Sequence, residues 1–194
     1  LNNWQPVRAG DRFGSSVALS ADGSVALVGA DRDDTPTGFD AGSARIFVRS
    51  GTSWAEDAAL IASDGASGDN LGQSVALSGN GDRAVVGAAG DDAFGVGDAG
   101  SARLFVRSGT RWTEEATLLA ATAATNDRLG WSVSLSADGS RALVGAAYDD
   151  TAAIGAADAG SAHVFTVVGD AGEPCSGAPG CSSGFCVDGI CCAT

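Results

Sequence analysis

DRFGSSVALSADGSVALVGA, residues 11–30, recurs as DNLGQSVALSGNGDRAVVGA at 69–88 and as DRLGWSVSLSADGSRALVGA at 127–146. Both steps are 58 residues. A fixed period of this size marks one supersecondary unit used repeatedly. Within the first copy, residues 16–20 alternate Val17 and Leu19 with small or polar side chains, which is the period of a strand. Residues 25–30 are apolar on both faces, Val25 and Leu27 on one and Ala26 and Val28 on the other. That pattern reads as a strand enclosed between neighbouring sheets. Ala21-Asp22-Gly23 between the two strands is a hairpin signal, because Gly supplies a positive φ.

Working outward, a loop at 31–40 leads to a third strand at 44–49, with Ala44, Ile46 and Val48 on one face and Arg45, Phe47 and Arg49 on the other. The second copy repeats this at 102–107 and the third, more loosely, at 162–167, where His163 takes the Arg slot. A turn at 50–52 leads to a fourth segment, 54–62, matched by 112–120. Its Ala-Glu-Asp-Ala-Ala run has good helix propensity, but Thr113 and Thr117 in its copy favour a strand, and it is assigned as an outer strand. Four antiparallel strands, a turn-rich loop and a strict period describe a β-propeller blade. An open array or sandwich with internal duplication is the alternative. A single such sheet exposes both faces, so stacking must supply the stabilisation. Val28, Val86 and Val144 are therefore expected to be enclosed, and Trp54 and Trp112 to serve blade packing. The predicted organisation is a lead-in at 1–10, blades at 11–68, 69–126 and 127–168, and a Cys-rich tail at 169–194.

Phe13-Gly14 followed by Gly29-Ala30 resembles the FG-GAP repeat, the blade unit of the integrin alpha-chain propeller. Leu71-Gly72 with Gly87-Ala88, and Leu129-Gly130 with Gly145-Ala146, repeat the pattern. The run GSARIFVRSGTSW at 42–54 is similar to the bacterial subgroup of FG-GAP proteins. The resemblance spans 11 to about 168. It implies an all-β propeller built from such blades and a non-enzymatic role in binding a protein or glycan, as in adhesion. Here the third residue of the Gly-Ala-Pro motif is not Pro in any copy. Where the family carries its calcium loop, this chain has only Ser20-Ala-Asp-Gly-Ser24 and equivalents. One carboxylate falls short of the roughly six to eight oxygens calcium takes, so that site is not carried over. The related propellers resemble rings of about seven blades, and propellers have about four to eight. A chain with three copies, the third without its Trp-containing fourth strand, reads as part of a longer propeller protein. Residues 1–9, with Trp4, are an alternative source of that strand.

The formal net charge is −13, every cation among the eleven is Arg, and Asp outnumbers Glu by twenty to four. An acidic surface repels phosphate, which argues against nucleic acid as a partner. The longest apolar runs are about six residues, too short for a helix to span a bilayer, so no membrane insertion is expected. Asp recurs in the loops: Asp31, Asp33, Asp34 and Asp40, then Asp91, Asp92 and Asp98, then Asp149, Asp150 and Asp158. Two readings are open. Asp33, Asp40, Asp91, Asp98, Asp149 and Asp158 could supply a calcium site in each loop, with carbonyls completing the shell, or they are solvated acids forming turns. No other cofactor is implied.

Gly95-Val-Gly-Asp-Ala-Gly100 matches a dinucleotide fingerprint, but no helix-period pattern follows it. His163, the single histidine, is read as a surface residue on the polar face of its strand, with no nucleophile-elbow motif beside it. No catalytic residue is assigned. Trp131 has no counterpart in the other copies and is either a contact residue or a lone surface aromatic.

Five cysteines, Cys175, Cys181, Cys186, Cys191 and Cys192, cluster at the tail and none occurs elsewhere. This favours secreted disulfides over zinc, and with it an extracellular or cell-surface location. The odd count points to a free or intermolecular thiol or to a sixth cysteine in a longer protein. The expected function is thus a surface-displayed binding module, with 31–40, 94–98 and 148–158 as its contact loops. The alternative is a structural or targeting module of a larger secreted hydrolase.

Overall fold

A computed structural model describes residues 8–150, 157–167, 185–187 and 190–191. The described residues form three antiparallel sheets and no α-helix. The first sheet contains β1 (Val17–Leu19), β2 (Val25–Ala30), β3 (Ser43–Ser50) and β4 (Ser53–Leu60), hydrogen-bonded in that order. The second contains β5 (Leu71–Leu77), β6 (Arg83–Ala88), β7 (Ser101–Ser108) and β8 (Arg111–Leu118). The third contains β9 (Leu129–Leu135), β10 (Arg141–Ala146) and β11 (Ser161–Val167). The ambiguous fourth segment is a strand in both copies, carrying a register shift opposite Ile46/Phe47 and Leu104/Phe105.

Beside β11 lies β12 (Phe185–Val187), followed by β13 (Ile190–Cys191). The edge for which residues 1–9 were considered is therefore taken by a strand from the tail; residues 1–7 lie outside the described ones. Cys186 and Cys191 are paired in register across β12 and β13. Cys175, Cys181 and Cys192 lie outside the described residues.

The predicted hairpin turn is built the same way three times. Ser20 and Ser24 both donate to Asp22 Oδ1, at 2.7 and 2.8 Å, and the Val25 amide returns to Ser20 Oγ at 2.9 Å. Ser136, Asp138 and Ser140 repeat the arrangement, and Asn80 stands in for Asp in the second copy. These bonds hold Asp22 and Asp138 at a pKa of about 2; the Ser20 and Ser136 hydroxyls contribute most.

Two cores lie between the sheets. Leu27, Ala44, Ile46 and Leu60 of the first sheet meet Val75, Leu77, Val86 and Phe105 of the second. Val85, Ala102, Leu104 and Leu118 of the second sheet meet Ala142, Val144 and Phe165 of the third. The middle sheet is thus buried on both faces, as its continuous apolar strand β6 requires. Val86 and Val144 are fully enclosed, but Val28 is only half-buried because its side of the first sheet has no neighbouring sheet among the described residues. The tryptophans divide in the same way: Trp112 packs against the first core, whereas Trp54 is exposed on the outer face.

Glycines let the sheets interlock. A Cβ on Gly29 would sit 2.0 Å from the carbonyl oxygen of Gly72, and one on Gly87 would sit 2.0 Å from that of Gly130. The two glycines of the repeat signature therefore meet across the interface, one from each sheet. Parallel bridges between Gly42 and Leu71 and between Gly100 and Leu129 continue the contact. At the hairpin end, the Ala21 amide donates to Gly79 O at 2.8 Å and the Gly79 amide to Ala137 O at 2.7 Å. The whole is a stack of propeller-type blades.

Candidate binding surface

The loops joining the second and third strands of each blade lie on one rim. Each is closed by the same backbone device: Gly42, Gly100 and Gly160 amides donate to the carbonyls of Asp33, Asp91 and Asp149 at 3.0, 2.9 and 3.0 Å. Within each loop a second Asp caps a third. The amides of Asp40, Asp98 and Asp158 donate to Oδ1 of Asp34, Asp92 and Asp150 at 3.0, 2.9 and 2.8 Å. Asp40, Asp98 and Asp158 have φ of 50°, 52° and 50°, a conformation Asp tolerates better than most residues. The recurrence of Asp in these loops is thus explained by turn chemistry.

In the first two loops Asp33 and Asp91 face cations. Asp33 Oδ2 accepts from Ser43 Oγ at 2.6 Å and from Arg45 at 3.2 Å, and Arg45 also bonds Glu56 at 3.0 Å. Asp91 accepts from Ser101 and from Arg103, the latter at 2.7 Å. Arg103 also reaches Asp64 at 2.6 Å, Thr117 at 2.8 Å and Glu114 at 3.2 Å. Arg45 and Arg103 are buried, so the face that reads as polar in sequence is an internal ion-pair layer. Burial works against the charge of Arg103, yet Asp91, Asp64 and Glu114 together raise its pKa. In the third blade His163 replaces the arginine. It is half-buried rather than on the open surface, within 2.9 Å of Ser161 Oγ and tilted against Phe165.

Three of the six candidate calcium ligands are paired with an arginine. Asp33 and Asp91 are each bound to a guanidinium, and Asp98 lies 3.5 Å from Arg128. Among the described residues, no group of three or more His, Cys, Asp or Glu side chains converges in a way that could hold a metal ion. The acids do not fit a shell of about six to eight oxygens. The glycine-rich stretch 95–100 sits in a loop with one 3₁₀ turn, Ala93–Gly95, and leads into strand β7 rather than a helix. It lacks the strand–turn–helix frame of a dinucleotide site.

One set of repeating acids has a role that the spacing alone did not disclose. Asp11, Asp69 and Asp127 are buried at the blade entrances, and each accepts the amide of the residue three positions earlier: Arg8, Ala66 at 2.7 Å and Ala124 at 2.6 Å. Burial pushes Asp69 up to about 6, against the pull of the Ala66 amide. Their presence in all three copies was the available signal.

Among the side chains the rim presents to solvent are several aromatics. Phe39 and Phe94 are 76% and 75% exposed at the tips of the first and second loops. On the third blade Trp131 packs edge-on to Tyr148, with centroids 5.3 Å apart, and the Arg128 guanidinium lies 5.9 Å from the Tyr148 ring centroid. Trp131 is thus part of a cluster and not a lone aromatic. Among the described residues no helix is long and apolar enough to cross a membrane.

Two solved structures are similar to part of this chain. Hydrazine synthase from Kuenenia stuttgartiensis is 12% identical, with a TM-score of 0.47 over 86% of this chain and 36% of that one. A putative 6-phosphogluconolactonase from Bacteroides uniformis is 14% identical, with a TM-score of 0.49 over 81% of this chain and 38% of that one. This chain spans well under half the length of either. A search of curated proteins found no match. The FG-GAP repeat family matches at residues 7–47, 54–105 and 112–165, most of the chain, the second and third matches each beginning in the outer strand of the preceding sheet. With its paired glycines interlocked between successive antiparallel sheets, the chain belongs to the FG-GAP repeat family.

Proposed function

We propose that the chain is a non-enzymatic FG-GAP propeller module, displayed outside the cell, that binds a protein or glycan through its loop rim. The observation that carries this reading is the set of solvent-facing aromatics at the loop ends of the blades: Phe39 and Phe94 on loops fixed by internal hydrogen bonds, and the Trp131–Tyr148 pair at the start of β9. Exposed apolar groups on a rigid scaffold cost solubility, and their clustering marks a contact surface. Aromatics flanked by Arg and Asp suit sugar faces and protein surfaces alike.

A glycan array and a panel of immobilised extracellular proteins, probed with the labelled chain, test the reading. Binding that is lost in a Phe39→Ser, Phe94→Ser, Trp131→Ser variant with unchanged melting supports it. Retained binding in that variant would place the contact elsewhere.

A further inference from the structure

The hairpin tip of the middle blade differs chemically from its two counterparts. The first and third tips read Asp22-Gly23-Ser24 and Asp138-Gly139-Ser140; the second reads Asn80-Gly81-Asp82. Each tip carries one carboxylate, but in the second an amide takes its place and the carboxylate stands two residues later. Asn80 Oδ1 accepts from Ser78 Oγ at 2.7 Å and from the Asp82 amide at 3.2 Å, and its Nδ2 donates to Asp82 Oδ2 at 3.3 Å. A carboxylate at position 80 would set an oxygen against that of Asp82 instead.

This tip is held from both sides. Gly79 O accepts from the Ala21 amide of the first blade at 2.8 Å, and the Gly79 amide donates to Ala137 O of the third at 2.7 Å. A Cβ on Gly81 would lie 2.9 Å from Cγ2 of Val25, and one on Gly139 would lie 3.3 Å from Cβ of Ser78. Asn80 itself is exposed. The residue after it has no Cβ, so the Gly81 nitrogen is open to approach from the Asn80 side chain. The other asparagines among the described residues, Asn70 and Asn126, precede the buried Leu71 and Asp127, and Asn70 Nδ2 is tied to the carbonyls of Asp31 and Asp40.

We propose that Asn80 is a site of spontaneous covalent modification. The Gly81 nitrogen attacks the side-chain carbonyl carbon of Asn80 and closes a cyclic imide. The Cγ–Nδ2 bond breaks, and the leaving nitrogen takes the Gly81 amide proton and departs as ammonia. Water then opens the imide at one of its carbonyls, giving either aspartate or the isomer whose chain runs through Cβ and Cγ. The fold governs the rate. Gly81 N–H donates to Ser78 O at 3.0 Å and Asn80 Oδ1 is held by two donors, so the tip must open before the ring can close. The product then keeps the tip from closing as before: aspartate places two carboxylates side by side, and the isomer lengthens the chain within a turn that two blades grip.

Peptide mapping by mass spectrometry is the test, on the full chain incubated in mildly alkaline buffer with and without urea. Conversion at Asn80 in both samples is expected, about 10-fold or more faster in urea, with Asn70 and Asn126 unchanged in the folded chain. An Asn80 that stays intact in the folded chain while the urea sample converts fully overturns the proposal. Equal rates in the two samples overturn the control by the fold. Two variants test the consequence directly. Asn80→Asp should lower the melting temperature by about 2 °C at low salt, since like charges then meet across the turn. Adding Asp82→Ser restores the pattern of the other two tips and should return the melting temperature to that of the parent. An Asn80→Asp chain that melts like the parent, or a double variant that fails to recover, would refute the loosening by charge repulsion.

Discussion

Replacing Gly87 by Ala is the sharpest way to ask whether the sheets interlock as described. The new methyl carbon would lie 2.0 Å from the Gly130 oxygen, 2.9 Å from its carbonyl carbon and 3.3 Å from its Cα. All three are backbone atoms of the next sheet, so no rotamer change relieves the clash and the sheets must separate. Overpacking of this kind costs about 3 kcal/mol, at the upper end of the usual range. Lower chain freedom in the unfolded state returns up to about 1 kcal/mol. The net loss is then about 2 kcal/mol, which for a chain of this size lowers the melting temperature by about 4–8 °C. Gly97→Ala is the control, because the nearest atom to its Cβ is Asp92 Oδ1 at 3.9 Å and its φ is not left-handed. It should melt at or slightly above the parent temperature. Thermal unfolding followed by circular dichroism gives both values. Equal melting of the Gly87→Ala and Gly97→Ala chains would refute the interlock.

Arg103→Met should lower stability by about 3–5 kcal/mol, because it strands Asp91 and Glu114 in a largely desolvated site; the urea midpoint reads this, and an unchanged midpoint would mean the ion-pair layer is not formed. Asp69 gives a pH signature. Its folded pKa is about 6 against an ordinary 3.8, so between those values the folded chain holds a proton that the unfolded chain has released. The stability it contributes is therefore lost as pH rises from about 4 to about 6, and Asp69→Asn should remove that slope from a series of melts. Asp22 and Asp138 act in the opposite direction: their contribution is present above about 4 and disappears as pH falls towards about 2. Calcium chloride should leave the melting temperature unchanged, because Asp33 and Asp91 are held by arginines; a clear rise would assign the loops a metal after all.

The strands and the hairpin were legible because they rest on local rules: alternation at Val17 and Leu19, doubly apolar β2, and Asp-Gly or Asn-Gly at each turn. Burial was not legible in the same way. SVALS occurs identically at 16–20 and 74–78, yet its Val and Leu are wet in the first copy and enclosed in the second. Nothing inside the pentapeptide can carry that difference, which depends on whether another sheet lies alongside. The ion-pair layer was misread for a related reason. An Arg alternating with apolar residues resembles a solvent face, and its partners come from a loop and from the neighbouring strand. A signal was nevertheless present: Asp33, Arg45 and Glu56 recur together as Asp91, Arg103 and Glu114, whereas the third copy has His163 in the Arg slot. The loop acids left calcium and turn-forming acids both open, because chemistry and spacing cannot show which cation, a metal or a guanidinium, stands opposite a carboxylate.

Amide hydrogen exchange at the three hairpin tips tests the stacking of blades most directly. The Ala21 and Gly79 amides each donate to a carbonyl of the following blade, whereas Ala137 makes no such bond among the described residues. Slow exchange at Ala21 and Gly79 with fast exchange at Ala137 is the predicted result. Three equally fast amides would contradict it, because the tips would then be free turns and the sheets would not lie one on the next.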